Sequence, residues 1–218
     1  HEQSGAEAVA HAFWIPYLRA MSRVQRREDI FIAGRNEIDG FASTWVISMG
    51  HLMGLFDAPY LGIPPTRRIA MLRYAEFNRV EDGKITEAAM YFDIPHLMMQ
   101  CGMRPFEEQA GAHLVQPGPA THDGLMFEDR PSEEGEATLA AINAMISDLG
   151  TWQSGLPLEE ELARTWHDDM IWWGPTGIGA TYTIERYAKQ HSGVFRAAFT
   201  DRSKTSHVCR MAEGHYGG

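Results

Sequence analysis

Apolar residues recur along the chain with two periods, and the change from one to the other marks out the elements. Over residues 4–22, SGAEAVAHAFWIPYLRAMS, Ala8, His11, Ala12, Trp14 and Tyr17 fall near one helical stripe, which predicts a helix. Ser4 is its expected N-cap, and Glu7, three residues on, completes a capping box. Residues 26–36, RREDIFIAGRN, alternate and predict a strand, followed by a turn at Asp39-Gly40. A second strand is expected over 41–50, with Trp45 and Ile47 on one face and Val46 and Ser48 on the other, ending at Gly50-His51-Leu-Met-Gly54. Residues 55–60 read as a loop. The run Gly62-Ile-Pro-Pro-Thr66 reads as a stiff turn, because each proline fixes its own φ and restricts its predecessor.

The clearest element is a hairpin. Residues 69–80 and 84–93 are two strand-like runs flanking Glu81-Asp82-Gly83. Asp-Gly between such runs is a strong hairpin signal, since glycine accepts the positive φ of a type I′ turn. A two-residue loop pairs position 81 with 84. Carried along the strands, that register puts Tyr74, Glu76 and Asn78 on one face with Glu87, Ala89, Tyr91 and Asp93, and sends Arg73 and Phe77 to the other. A three-residue loop would instead bring Met71, Arg73 and Phe77 to that face. The first register gathers a polar wall ending in Asp93. A carboxylate after an apolar strand must be paired, hydrogen-bonded or protonated if buried. Pro95 to Gln100 predicts a short helix that Asp93 would cap, with His96 either paired to Asp93 or facing outward.

The rest of the chain is helix-rich. Residues 103–131 have no sustained period and read as a linker or extended arm. A helix is expected over 132–152, with Ser132 as N-cap, Glu133 and Glu134 in its first turn, and Leu139, Ile142, Met145, Ile146 and Leu149 on one face. A second helix is expected over 157–166, a strand over 167–175, a third helix over 183–199 and a final strand over 203–216.

Composition narrows the function classes. The 218 residues include 44% apolar residues and six tryptophans, ample for a core. A net charge of −10 argues against nucleic acid, whose binding needs a basic surface. No stretch approaches the apolar length of a membrane span. Cys101 and Cys209 form neither a disulfide framework nor a metal-site spacing, so both read as reduced small hydrophobes, and a cytoplasmic location is expected. His113 and His122 match no metal motif, no glycine-rich phosphate loop precedes a helix, and no cofactor is required.

The runs Leu61-Gly-Ile-Pro-Pro-Thr66, Met71-x-Arg-Tyr-x-Glu-Phe-x-Arg-Val-Glu-Asp-Gly-Lys-Ile85 and Phe92-Asp93-Ile-Pro-His-Leu-Met-Met-Gln100-x-Gly102 resemble the C-terminal half of a SnoaL-like polyketide cyclase. The resemblance implies an α+β cone fold of the nuclear transport factor type, a curved and mostly antiparallel sheet with helices on its concave side. It also implies that Asp93 is the general acid/base of a cofactor-free aldol cyclisation. A pocket histidine usual in that family is replaced here, where Phe77-Asn78-Arg79 stands.

The pattern Gly, helix, charged turn, strand, Gly-His-x-x-Gly occurs twice, ending at Gly50-His51-x-x-Gly54 and at Gly214-His215-x-x-Gly218. Residues 172–199 also resemble the N-terminal half of the same family. The expected organisation is two tandem SnoaL-like units: residues 1–103 lacking an N-terminal part, a linker or arm at 104–131, and residues 132–218 lacking a C-terminal part. Truncation at both ends is the favoured explanation, with complementation between the halves as the other. The implied ligand is a hydrophobic, oxygenated, polyketide-like small molecule, and the implied assembly is a homodimer or a pseudo-dimer of the repeats. Asp93 is the expected catalytic residue. Tyr74, Glu76, Asn78, Tyr91, His51, Trp14, Trp45, His215 and Trp173 are the expected ligand-contacting residues. The alternatives are a non-catalytic binding or dimerisation module and, more weakly, an epoxide hydrolase, which would need an Asp-Arg-Asp trio around a water.

Overall fold

The computed structural model describes residues 2–108, 110–151, 155–201 and 208–218. Ala6–Val9, a π-helical turn Ala10–Trp14 and Ile15–Ala20 run on from one another as α1. Pro16 accounts for the widened turn, because it offers no N–H to the carbonyl of Ala12 and its ring crowds that carbonyl. The expected capping box is not formed: Gly5 occupies the N-cap, and no side chain bonds the helix end.

Four antiparallel strands follow as a single sheet in the order β1-β2-β3-β4. They are β1 (Met21–Arg35), β2 (Thr44–Phe56), β3 (Ile69–Glu81) and β4 (Lys84–Phe92). The fold is therefore mixed α+β around an antiparallel sheet. Two sequence expectations are corrected here. The second strand does not end at Gly50-His51-x-x-Gly54 but runs through it. Both glycines lie opposite irregularities in β1, at Glu28/Ile30 and at Ser22/Gln25. A Cβ on Gly50 would sit 2.0 Å from the carbonyl oxygen of Arg27, and one on Gly54 would sit 3.1 Å from that of Ser22. Glycine here permits close strand approach at a bulge rather than a stop.

The second correction concerns the hairpin. Asp82 and Gly83 have φ of 49° and 70°, and Glu81 pairs with Lys84, as the Asp-Gly signal requires. Beyond Val80–Ile85, however, the register shifts, and Arg79 pairs with Glu87. Thr86 is the extra residue. From there on every β4 side chain changes face. Tyr74, Glu76 and Asn78 share their face with Phe92, Met90 and Ala88, while Tyr91 and Asp93 join Arg73 and Phe77.

One sheet face is covered by α1. Its core holds Tyr17, Ala20, Leu52, Phe56, Leu72, Tyr74 and Leu97, with Phe13 stacked on Phe92 at 4.2 Å. We call it the helix face. The opposite, arm face carries Ile32, Trp45 and Ile47, packed against Met126, Cys209 and Met211. Residues 103–108 and 110–131 form an extended arm, of which 124–126 run along the edge of β1 and Met126 packs on this face. The N–H of Phe31 donates to Gly124, the N–H of Met126 donates to Phe31, and Ala112 bridges to Ala180.

The remaining elements are α2 (Ile94–Gln100), α3 (Ser132–Thr151), α4 (Leu158–Leu162) and two short hairpins. The hairpins pair β5 (Ile171–Trp173) with β6 (Ala180–Tyr182), and β7 (Ala212–Glu213) with β8 (Tyr216–Gly217). Between them lies α5, made of Ile184–Tyr187, a π turn Ala188–Ser192 and Gly193–Ala198, with Thr183 as its N-cap. Thus α3 starts within one residue of its expected N-cap, and β5 is shorter than expected. The predicted strand over 203–216 lies partly outside the described residues. Where described, it is a tight turn at Gly214-His215, unlike the mid-strand conformation of Gly50-His51. Among the described residues no helix is long and apolar enough to cross a membrane.

Candidate functional site

The helix face brings four of the expected residues together, Trp14, Tyr74, Glu76 and Asn78. Strand alternation aims Tyr74, Glu76 and Asn78 from β3 at this face, and β1 contributes Arg26 and Glu28 from the stretch between its two irregularities. Arg26 Nη1 lies 2.6 Å from Glu76 Oε2 and 4.0 Å from Glu28 Oε1. Its guanidinium stands 4.9 Å from the ring centre of Tyr74 and 5.7 Å from that of Trp14.

Ser48 is the middle of a chain. Its Oγ donates to Glu28 Oε1 at 3.1 Å and lies 2.8 Å from the hydroxyl of Tyr74. A hydroxyl has one proton to give. With that proton on Glu28, Tyr74 must be the donor to Ser48, so the direction is Tyr74 to Ser48 to Glu28. Burial pushes the Tyr74 hydroxyl above its ordinary pKa, against the opposing pull of Ser48 and Arg26. Burial, the largest single influence, lowers Arg26, but the bond and charge of Glu76 together with the charges of Tyr74 and Glu28 outweigh it and hold the guanidinium above its usual value. Asn78 is 8% exposed, and its buried Oδ1 has no hydrogen-bond partner. Arg26, Glu28 and Ser48 were not singled out by the sequence pattern. The alternation of RREDIFIA was its available signal, and the bulge at Asp29 interrupts it.

The arm face holds Asp93, and its surroundings differ from those expected. Arg73 Nη2 bonds Asp93 Oδ2 at 2.5 Å and the carbonyl of Gly174 at 3.0 Å. The backbone N–H of Thr176 donates to the same Oδ2 at 3.0 Å, and that of His96 donates to Oδ1 at 3.0 Å. Burial by itself raises the Asp93 pKa, but the bonds from Thr176, Arg73 and His96 win, and the net displacement is downward. The residue caps α2, pairs with Arg73 and fastens the loop at 174–176. No second carboxylate lies within 4.0 Å of Arg73 among the described residues, so an Asp-Arg-Asp trio is not assembled there.

His51 is 3% exposed and extends from β2 beside Arg73. Its Nδ1 is 3.6 Å from Asp29 Oδ2. Burial first, then the charges of His96 and Arg73, lower its pKa to about 4, so the ring is neutral at pH 7. The ring of His96 is buried against His113 at 4.9 Å, with Nδ1 3.1 Å from Gln100 Nε2. A water-sized hollow of about 10 Å³ lies between Arg73, His96, His113 and Trp173. A larger one of about 310 Å³ lies between the β1–β2 bulge and the arm. Among the described residues no group of three or more His, Cys, Asp or Glu is placed to hold a metal ion.

The other expected contacts are dispersed. Trp45 is a core residue of the arm face, with its indole N–H on Ser43 Oγ at 2.8 Å. Tyr91 is 55% exposed and packs edge-on to Phe77. Trp173 lines both hollows, and His215 is exposed at the tip of its turn. Comparison with family models, with curated proteins and with solved structures found no match to this chain.

Proposed function

We propose that the chain is a SnoaL-like protein of two incomplete cone-type units, and that the helix face of its sheet binds a hydrophobic, oxygenated small molecule for cofactor-independent acid/base chemistry. The observation that carries this reading is the directed chain from Tyr74 through Ser48 to Glu28 beside the Arg26–Glu76 pair. The half-buried Phe13, Trp14 and Phe92 rings supply an apolar bed for a flat carbon skeleton.

On such a ligand, Arg26 and the Tyr74 hydroxyl stabilise charge developing on a carbonyl oxygen, as fixed donors do in a water-poor site. Glu28 removes a proton from the carbon next to the carbonyl. The protonated Glu28 then donates to Ser48, Ser48 to Tyr74 and Tyr74 to the carbonyl oxygen, which reverses the resting direction of the chain and leaves an enol with Glu28 ionised again. Positioned general acid/base groups contribute roughly 10²–10⁴-fold. Asp93 is an anchor in this account, since its oxygens already accept three N–H groups.

The test is a titration with hydrophobic ketones followed by amide chemical shifts. Perturbation at Trp14, Arg26, Ser48 and Asn78, lost in Trp14→Ala, is the expected result. Shifts confined to the arm face would overturn the assignment. A second reading, a non-catalytic assembly module, draws on the ties from Arg73 and Asp93 to residues 174–176, which suit a pseudo-dimer of the halves. It predicts no ligand response on the helix face.

A further inference from the structure

The hollow of about 310 Å³ on the arm face is a separate feature, and its lining has a definite chemical character. Asp29 is the residue that β1 has in excess of β2 between Glu28–Gly50 and Ile30–Met49. A bulge re-aims a side chain, and here it turns a carboxylate toward the arm. The arm passes over it as bare backbone: a Cβ on Gly118 would lie 2.7 Å from Asp29 Oδ1, and one on Gly124 would lie 2.5 Å from the Asp29 carbonyl oxygen. Gly118 has φ of 72°, which favours glycine there as well. Asp29 thus lines the hollow with its side chain 22% exposed, and Ile30, Met49, Gln116, Trp173 and Tyr216 line the rest.

Asp29 lacks a cation. Its Oδ2 is buried with no hydrogen-bond partner, and its titratable neighbour within 4.0 Å among the described residues is His51, a ring that is neutral at pH 7. Arg27 and His122 act on it only from farther away. Partial burial raises the Asp29 pKa, as it does for a carboxylate short of a counter-ion, and a ligand that brings one relieves that cost. The hydroxyl of Tyr216 is taken by Asp123 at 2.5 Å, which fixes that ring in the wall. Trp173 and Tyr216 present aromatic surface, which attracts cations, and the volume lies at the small end of organic-ligand pockets.

The geometry points to a second binding site in this hollow, for a small organic cation of the arylalkylammonium class, with Asp29 as counter-ion and Trp173 and Tyr216 as walls. The ammonium takes a charge-assisted hydrogen bond from its N–H to Asp29, and the Gln116 amide oxygen accepts another. The hydrocarbon part rests on Ile30 and Met49. His51 stands behind the carboxylate, 3.6 Å from Oδ2, without a hydrogen bond to it. A neutral alcohol of the same shape lacks the charge term, and a carboxylate of the same shape is repelled.

The probe is benzylammonium chloride, titrated into the whole chain by calorimetry and by amide chemical shifts, with benzyl alcohol and benzoate as matched controls. Saturable binding of benzylammonium is expected, roughly tenfold or more tighter than benzyl alcohol, with shifts at Gly50, Gly118 and the Trp173 indole. Asp29→Asn is expected to weaken it by roughly tenfold, and Trp173→Leu by a smaller factor. Equal binding of the alcohol, unchanged binding by a folded Asp29→Asn, or shifts that map elsewhere would each overturn the proposal. If Asp29→Asn does not fold, the wild-type shift map and the alcohol comparison decide the matter alone.

Discussion

Arg73 and Asp93 meet at 2.5 Å because β4 carries one residue more than its partner strand needs. Without Thr86 in excess, the hairpin register would send Asp93 to the helix face and leave Arg73 alone on the other. With it, the pair closes, and from the pair two further bonds reach Gly174 and Thr176. A local irregularity in one strand thereby fastens the C-terminal half to the sheet. Both side chains are largely buried, so the pair is costly to break from one side only.

Arg73→Met is expected to destabilise the protein by about 3–5 kcal/mol, because it leaves Asp93 buried without its partner. Arg73→Met combined with Asp93→Asn is expected to recover part of that loss, since the uncompensated charge is gone. Urea denaturation of the single and double variants measures both. A double variant as unstable as the sum of two independent losses would contradict the coupling.

Stability is expected to fall with acid in two separable windows. The pKa of His51 is lowered in the fold, from 6.5 to about 4. Between those values the unfolded chain binds a proton that the fold does not, so stability decreases as pH falls from 6.5 to about 4 and then levels off. Asp93 is also lowered, from 3.8. Its contribution is full above the unfolded value and drains away as pH drops through the folded one. His96 and His191 are also lowered from 6.5 by burial, so His51→Gln is expected to reduce the slope of the upper window without abolishing it, and Asp93→Asn to reduce that of the lower one, in denaturation curves taken across pH.

Gly50→Ala tests the strand contact. Its Cβ would meet the Arg27 carbonyl oxygen at 2.0 Å, against backbone that cannot swing aside. A loss of at least about 2–3 kcal/mol is expected, as for other substitutions that force backbone apart in a core. Gly40→Ala is the matched control. That glycine has open space around it, and only its φ of 71° opposes a side chain. A Gly50→Ala variant as stable as Gly40→Ala would mean that β1 and β2 are not this close.

Much of the sheet is legible in the sequence, and the lapses have physical causes. The Asp82-Gly83 turn is a local event decided by two residues that tolerate positive φ, so the 81–84 pairing follows from sequence. The bulge at Thr86 is not local. KITEAAMYF leaves a similar mixture of apolar and polar residues on either face, so alternation cannot tell one register from the other. The same blindness affects Gly50 and Gly54, which look like strand ends until the opposing strand supplies the bulges that need them. His51 stands out by its flanking glycines, yet Asp29 becomes visible beside it only when β1 and β2 pair. Tyr74, Glu76 and Asn78 remain together because a register slip moves the partner strand, not the strand that carries them. The C-terminal half is the least legible. Its strands are two or three residues long, too short for a period to register.

The most direct test of the proposed chemistry is deuterium wash-in at the carbon next to the carbonyl of a bound hydrophobic ketone, 2-tetralone, followed by NMR in D₂O. Wild type and Asp93→Asn, the latter under conditions where it is folded, are expected to accelerate exchange above buffer, while Tyr74→Phe binds the ketone but loses roughly 10²-fold or more of the acceleration. Exchange that is unaffected by Tyr74→Phe, or abolished in folded Asp93→Asn, would contradict the account.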